Sequence, residues 1–147
     1  MNKLLLRLAI TATAGSLLSL HPMVAQLSPT TPKTARVRIT QGPEVELSKS
    51  FLTIIRWTTN NPGGSPEHYG VIHYGTDPKK LSQSAQSPIR LNPNHPTTVF
   101  RVRMDDLKPG TTYYYAVSSV ESNGTDDGMK STIKQFTTPV GPQRAGR

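Results

Sequence analysis

Short stretches of alternating apolar and polar residues recur between Arg36 and Thr137, and turn signals separate them. This layout predicts strands over Arg36–Gln41, Phe51–Thr59, Gly70–Gly75, Thr97–Met104, Thr112–Val120 and Thr132–Thr137, with a weaker one between Leu81 and Leu91. The punctuation is QGP at 41–43, NNPGGSP at 60–66, GTDPKK at 75–80, NPNHP at 92–96, KPG at 108–110 and SNGTDDG at 122–128. No window of helical length carries a 3.6-residue period, so the expectation is one all-β sandwich without internal repeats.

The alternation assigns faces. Val37 and Ile39 point one way in ARVRI, and Arg36 and Arg38 the other. In FRVRM, Phe100, Val102 and Met104 oppose Arg101 and Arg103; Ile55 and Trp57 oppose Arg56. Tyr113, Tyr115 and Val117 share a face that Tyr114, Ala116 and Ser118 do not. FLTIIRW is apolar on both faces near Leu52 and Ile54, which predicts either a covered outer side or a bulge.

The ends differ from the middle. MNKLLLRLAITATAGSLLSLHPMVA has an early lysine, an apolar stretch and a small final residue, the layout of a secretory signal peptide over 1–25 with cleavage after Ala25. Arg7 interrupts the apolar stretch, which argues against a permanent membrane helix, although an uncleaved anchor is the alternative. No second long apolar run follows. Residues 26–33 (QLSPTTPK) read as a flexible leader, 34–138 as the domain and 139–147 as a flexible tail. The expected location is secreted or periplasmic. The 147-residue chain has no cysteine, so its core must supply the stability without disulfides. Its formal net charge is +8, from 17 Lys plus Arg against 9 Asp plus Glu, which directs attention to anionic partners.

Trp57, Tyr74 and the run Leu107, Pro109, Gly110, Thr111, Tyr113, Val117 resemble the fibronectin type III family across about 34–138. The resemblance implies a seven-stranded, immunoglobulin-like sandwich. It also implies a tyrosine corner at Tyr113, with the hydroxyl bonded to nearby backbone and the ring in the core, and structural roles for Trp57, Tyr74 and Leu107. Tyr115 would then share that core face, leaving only Tyr114 for solvent or a partner. Within the family, RITQGPEVE, TIIRWTTNNPGGS, VIHYGTDPKKL and VFRVRMDDLKPGTTYYYAVSS are similar to the N-terminal accessory domain of purple acid phosphatases. In those enzymes a two-metal phosphoesterase domain follows, with GD- and GNH-type ligand motifs. No such motif occurs here, and the chain stops within eight residues of FTTP. A free-standing accessory domain without phosphatase activity is the expectation, or the remnant of a truncated gene.

Catalytic, metal and cofactor patterns are missing from the sequence. His68, His73 and His95 have no partner at HxxxH or HExxH spacing, and His68 and His73, five apart on one strand, are expected to be exposed or half-buried on opposite faces. There is no GxSxG, cysteine nucleophile or phosphate-binding glycine loop. Glu121, Asp126 and Asp127 offer oxygen ligands for a hard cation, but a solvated hairpin turning at Asn123-Gly124 and Asp127-Gly128 accounts for them better.

The arginines carry the functional expectation. In the family topology Arg36, Arg38, Arg56, Arg101 and Arg103 would emerge together on the outer face of one sheet. Such forked donors suit carboxylates and phosphates. The alternative is a solvated face whose aliphatic stems cover the sheet. The predicted partner is an unknown protein or an anionic polysaccharide or lipid surface. Nucleic acid is not expected, because no aromatics interleave the arginines. The chain is therefore expected to be an exported binding or accessory module. A trans-acting partner of a separately encoded metallophosphoesterase is the alternative, resting on the apolar residues Leu52 and Ile54.

Overall fold

The computed structural model describes residues 31–141. The expected signal segment 1–25 lies outside them, with 26–30 and 142–147. Eight strands form: β1 (Ile39–Ser48), β2 (Thr53–Asn60), β3 (Glu67–Gly75), β4 (Gln83–Arg90), β5 (Thr97–Met104), β6 (Thr112–Glu121), β7 (Asp126–Lys130) and β8 (Lys134–Thr137). They make two antiparallel sheets. One is ordered β1-β2-β5; the other runs β4-β3-β6-β7, with β8 also pairing β6.

The core lies between the inward faces that the alternation selects. Ile55 and Trp57 from β2, and Phe100, Val102 and Met104 from β5, meet Ile72, Tyr74, Tyr113, Tyr115 and Val117 of the other sheet. Trp57 stacks on Phe100 with ring centroids 5.2 Å apart. Gly70 on β3 makes room for that pair. A Cβ there would sit 2.9 Å from Phe100 and 3.0 Å from both Trp57 and Val102, so close sheet-to-sheet contact requires the missing side chain.

Four sequence expectations change. The first strand does not begin at Arg36 and does not end at QGP. The ladder starts at Ile39 and continues to Ser48, with register shifts between Ile39 and Gln41, Gln41 and Glu44, and Val45 and Leu47. Gly42 takes φ of 80° ahead of Pro43, so the turn signal is spent on a bulge inside one strand. Eight strands replace seven because the final stretch divides. β7 and β8 both pair β6, at its far and near ends respectively. The predicted 122–128 turn therefore contains the start of a strand. Leu52 is buried and offers no outer surface; Ile54 beside it is half-buried. Finally, the leader is not loose throughout. The Gly64 N–H donates to Thr31 O at 2.8 Å and the Thr34 N–H to Pro62 O at 2.8 Å, tying 31–34 along the loop after β2.

The corner after β5 is closed by side-chain bonds. The Lys108 N–H donates to Tyr113 Oη at 3.0 Å, and Tyr113 stacks on Phe136 at 5.7 Å. Thr138 Oγ1 donates to Lys108 O at 2.6 Å and accepts from the Thr111 N–H at 3.0 Å. Leu107 is buried beneath them. Tyr115 is almost fully enclosed, and that burial, with the Glu44 charge, pushes its phenol up to about 12.

Candidate functional site

The five arginines do not share one face. Arg56 and Arg101 are directly opposite each other on β2 and β5, a like-charge pair that would repel if left alone. The bulged β1 brings carboxylates to them. Glu44 Oε1 lies 3.2 Å from Arg56 Nη1, and the two Glu46 oxygens lie 3.0 and 2.9 Å from Arg101 Nε. Arg103 takes Asp105 at 2.7 Å. This outer sheet face is a charge-alternating ladder with each arginine answered.

Arg36 and Arg38 stand elsewhere. They precede the first ladder pair and, with Val37 and Ile39, line a cleft against Gly128, Met129 and Lys130 of β7. The cleft is open and has a volume of about 230 Å³. Val37 and Met129 are buried, whereas Arg36, Arg38 and Lys130 are exposed. None of these three cations has a carboxylate partner among the described residues. Asn60 fixes this lead-in: it accepts from the Arg38 N–H at 2.7 Å and donates Nδ2 to Arg36 O at 3.0 Å.

A second charged cluster is buried. His68 is fully enclosed, not exposed or half-buried, because β3 alternation places it with Gly70, Ile72 and Tyr74 on the inner face. Its Nδ1 lies 2.8 Å from Asp127 Oδ2 and its Nε2 lies 3.0 Å from Gly63 O. Both ring nitrogens thus face acceptors. Ser119 Oγ donates to the same Asp127 oxygen at 2.7 Å, and Lys33 Nζ bonds Asp127 Oδ1 and Glu121 Oε1. The Ser65 N–H supplies the other Glu121 oxygen at 3.1 Å. Burial raises Asp127, but the bonds from His68, Lys33 and Ser119 outweigh it and hold the carboxyl below its ordinary value. The Lys33 bond, then Ser65, lowers Glu121.

Desolvation would lower Lys33, yet its two carboxylate partners keep it raised. Two members of the acidic loop are therefore saturated by the protein itself. The third, Asp126, accepts from the Gly128 N–H at 2.6 Å. Among the described residues no group of His, Asp and Glu is arranged to hold a metal ion. Sequence reasoning missed this cluster because Lys33 lies 94 residues from Asp127 and His68 lies 59 from it. The one local signal was the period-two position of His68.

The two antiparallel sheets and the bonded Tyr113 corner define a small sandwich module of the fibronectin type III kind. The chain belongs to the family of the purple acid phosphatase N-terminal domain, whose model matches residues 49–138. No curated protein matches it. Similar solved structures include two forms of the sensor domain of the anti-sigma factor RsgI4 from Pseudobacteroides cellulosolvens. The short form is 19% identical at TM-score 0.51, covering 74% of this chain and 99% of that one. The long form is 15% identical at TM-score 0.50, with coverage of 76% and 96%. The fn3 domain of human contactin 1 is 17% identical at TM-score 0.48, covering 92% and 100%. At these identities the likeness concerns fold. No helix among the described residues is long and apolar enough to cross a membrane.

Proposed function

We propose that this protein is an exported, non-catalytic accessory module that binds an anionic partner at the cleft between Arg36–Ile39 and β7. The observation that carries the reading is the contrast between two sets of arginines. Arg56, Arg101 and Arg103 have carboxylates beside them, whereas Arg36 and Arg38 have none among the described residues. An answered guanidinium gains little from a second anion; an unanswered pair two residues apart gains a full charge-assisted bond at each. The family match supports an accessory role, since it concerns an N-terminal domain and no catalytic one.

The test is retention of the full-length chain on immobilised anionic polymers at about 150 mM salt, where the screening length is about 8 Å. Arg36→Ser/Arg38→Ser should abolish it, and Arg101→Ser/Arg103→Ser should leave it unchanged. Equal losses in the two variants would show nonspecific attraction instead. The family match also favours a second reading, in which the module accompanies a separately encoded metallophosphoesterase. Co-elution with such an enzyme that survives the Arg36/Arg38 substitutions would select that reading.

A further inference from the structure

We propose that the occupant of the basic cleft is an extended acidic peptide that adds a strand to the open edge of β7. This rests on the reading that the cleft takes an anionic partner, and it adds which one. β7 ends the five-stranded sheet and pairs β6 alone, so its other edge is without a ladder. Across the cleft, the Arg38 N–H and the Arg36 and Arg38 carbonyls are all turned to Asn60. In an extended run the residue between them turns its peptide groups the other way, and those of Val37 have no partner among the described residues.

Both banks thus offer backbone hydrogen-bonding groups, which a peptide repeats at strand spacing and a sugar chain or lipid headgroup does not. Arg36 and Arg38 are two residues apart, about 6.6 Å along an extended chain, the same step that separates alternate side chains of an added strand. A peptide with acidic residues at alternate positions would place successive carboxylates against Arg36 and Arg38. The cleft is open and has a volume of about 230 Å³ along Arg36–Ile39 and Gly128–Lys130, so a chain can enter it from solvent.

Charge decides which peptide enters. Lys130 and the two arginines turn away the same cleft of a second copy, which carries the same charges, a common guard on open edges. The same charges attract a strand carrying carboxylates. Asp126, at the start of β7, is the one acid on that strand facing solvent, and its Oδ1 is taken by the Gly128 N–H.

The experiment titrates the ¹⁵N-labelled full-length chain with an alternating glutamate–valine hexapeptide. Three further ligands are run in parallel: the same peptide N-methylated at alternate positions, a sulfated oligosaccharide, and phosphatidylglycerol vesicles. Amide shifts at Val37 and Gly128–Lys130 are expected with the unmodified peptide. Affinity should fall at least tenfold on N-methylation and at least tenfold in Arg36→Ser/Arg38→Ser. Equal binding of the N-methylated peptide would overturn strand addition. Binding of the oligosaccharide or vesicles but not the peptide would overturn this inference and leave the anionic-partner reading intact. If nothing binds, both fall.

Discussion

Asp126 and Asp127 are adjacent and chemically identical, yet the structure gives them opposite fates. The Asp127 carboxylate is enclosed and takes bonds from His68, Ser119 and Lys33, while Asp126 faces solvent and accepts one backbone N–H. Asp127→Ala would strand the His68 N–H and the Ser119 hydroxyl in a buried place and take one of two carboxylates from the exposed Lys33. Breaking a buried pair by removing one partner costs about 3–5 kcal/mol, out of a total of about 5–15 kcal/mol for such a domain. At about 4–8 °C per kcal/mol for a domain near 100 residues, the melting temperature should fall by at least about 12 °C. Asp126→Ala should cost less than about 1 kcal/mol.

The pH dependence supplies an independent check. Both Asp127 and Glu121 ionise below their ordinary values of 3.8 and 4.5, so the unfolded chain takes up protons first as pH falls. Their stabilisation is complete above about pH 5 and is lost on acidification through the folded values. Lys33, held above 10.5, contributes up to that pH and loses its contribution beyond it. Thermal melts from pH 7 to pH 2 should therefore slope less for Asp127→Ala than for wild type. Equal melting temperatures for the Asp126 and Asp127 variants, with parallel acid profiles, would refute the buried network.

Gly70→Ala should destabilise by about 1–3 kcal/mol in chemical denaturation, because its methyl meets Trp57, Phe100 and Val102 at 3.0 Å or less. Tyr113→Phe should cost about 1–3 kcal/mol by leaving the Lys108 N–H without its acceptor, with the fold kept by circular dichroism. Tyr115 should ionise at about 12 in a phenolate absorbance titration. Since the unfolded phenol titrates near 10.0, stability should fall with rising pH between those values.

Period-two alternation was enough to read most of the sandwich. It put Tyr113, Tyr115 and Val117 on one face of β6, and Phe100, Val102 and Met104 on one face of β5, and all six are buried. Where it failed, a local signal was overruled by pairing that only the folded chain contains. QGP reads as a turn, but Thr58 and Arg56 across the ladder hold Gln41 and Glu44 in register around it. The ladder begins at Ile39, after Arg36 and Arg38, and the bulged stretch beyond it brings Glu44 and Glu46 to Arg56 and Arg101, so a face of five arginines becomes a ladder of three and a cleft with two. β7 was hidden because its only inward residues are Asp127 and Met129, one of them charged. An aspartate pointing inward makes sense only once His68, Ser119 and Lys33 are seen around it, and none of those is its neighbour in sequence.

The tie between Lys33 and the acids of β6 and β7 has a consequence for how the chain is made. Synthesis runs from the N-terminus, so Lys33 leaves the ribosome long before Glu121 and Asp127, its partners 88 and 94 residues further on, exist. The strap around residues 31–34 has nothing charged to grip until nearly all of the sandwich has been translated. Long-range pairing of this kind also delays closure of the sheets. The strap therefore takes its charged grip only after β7 has been made, as the last ion pairs of the domain to close.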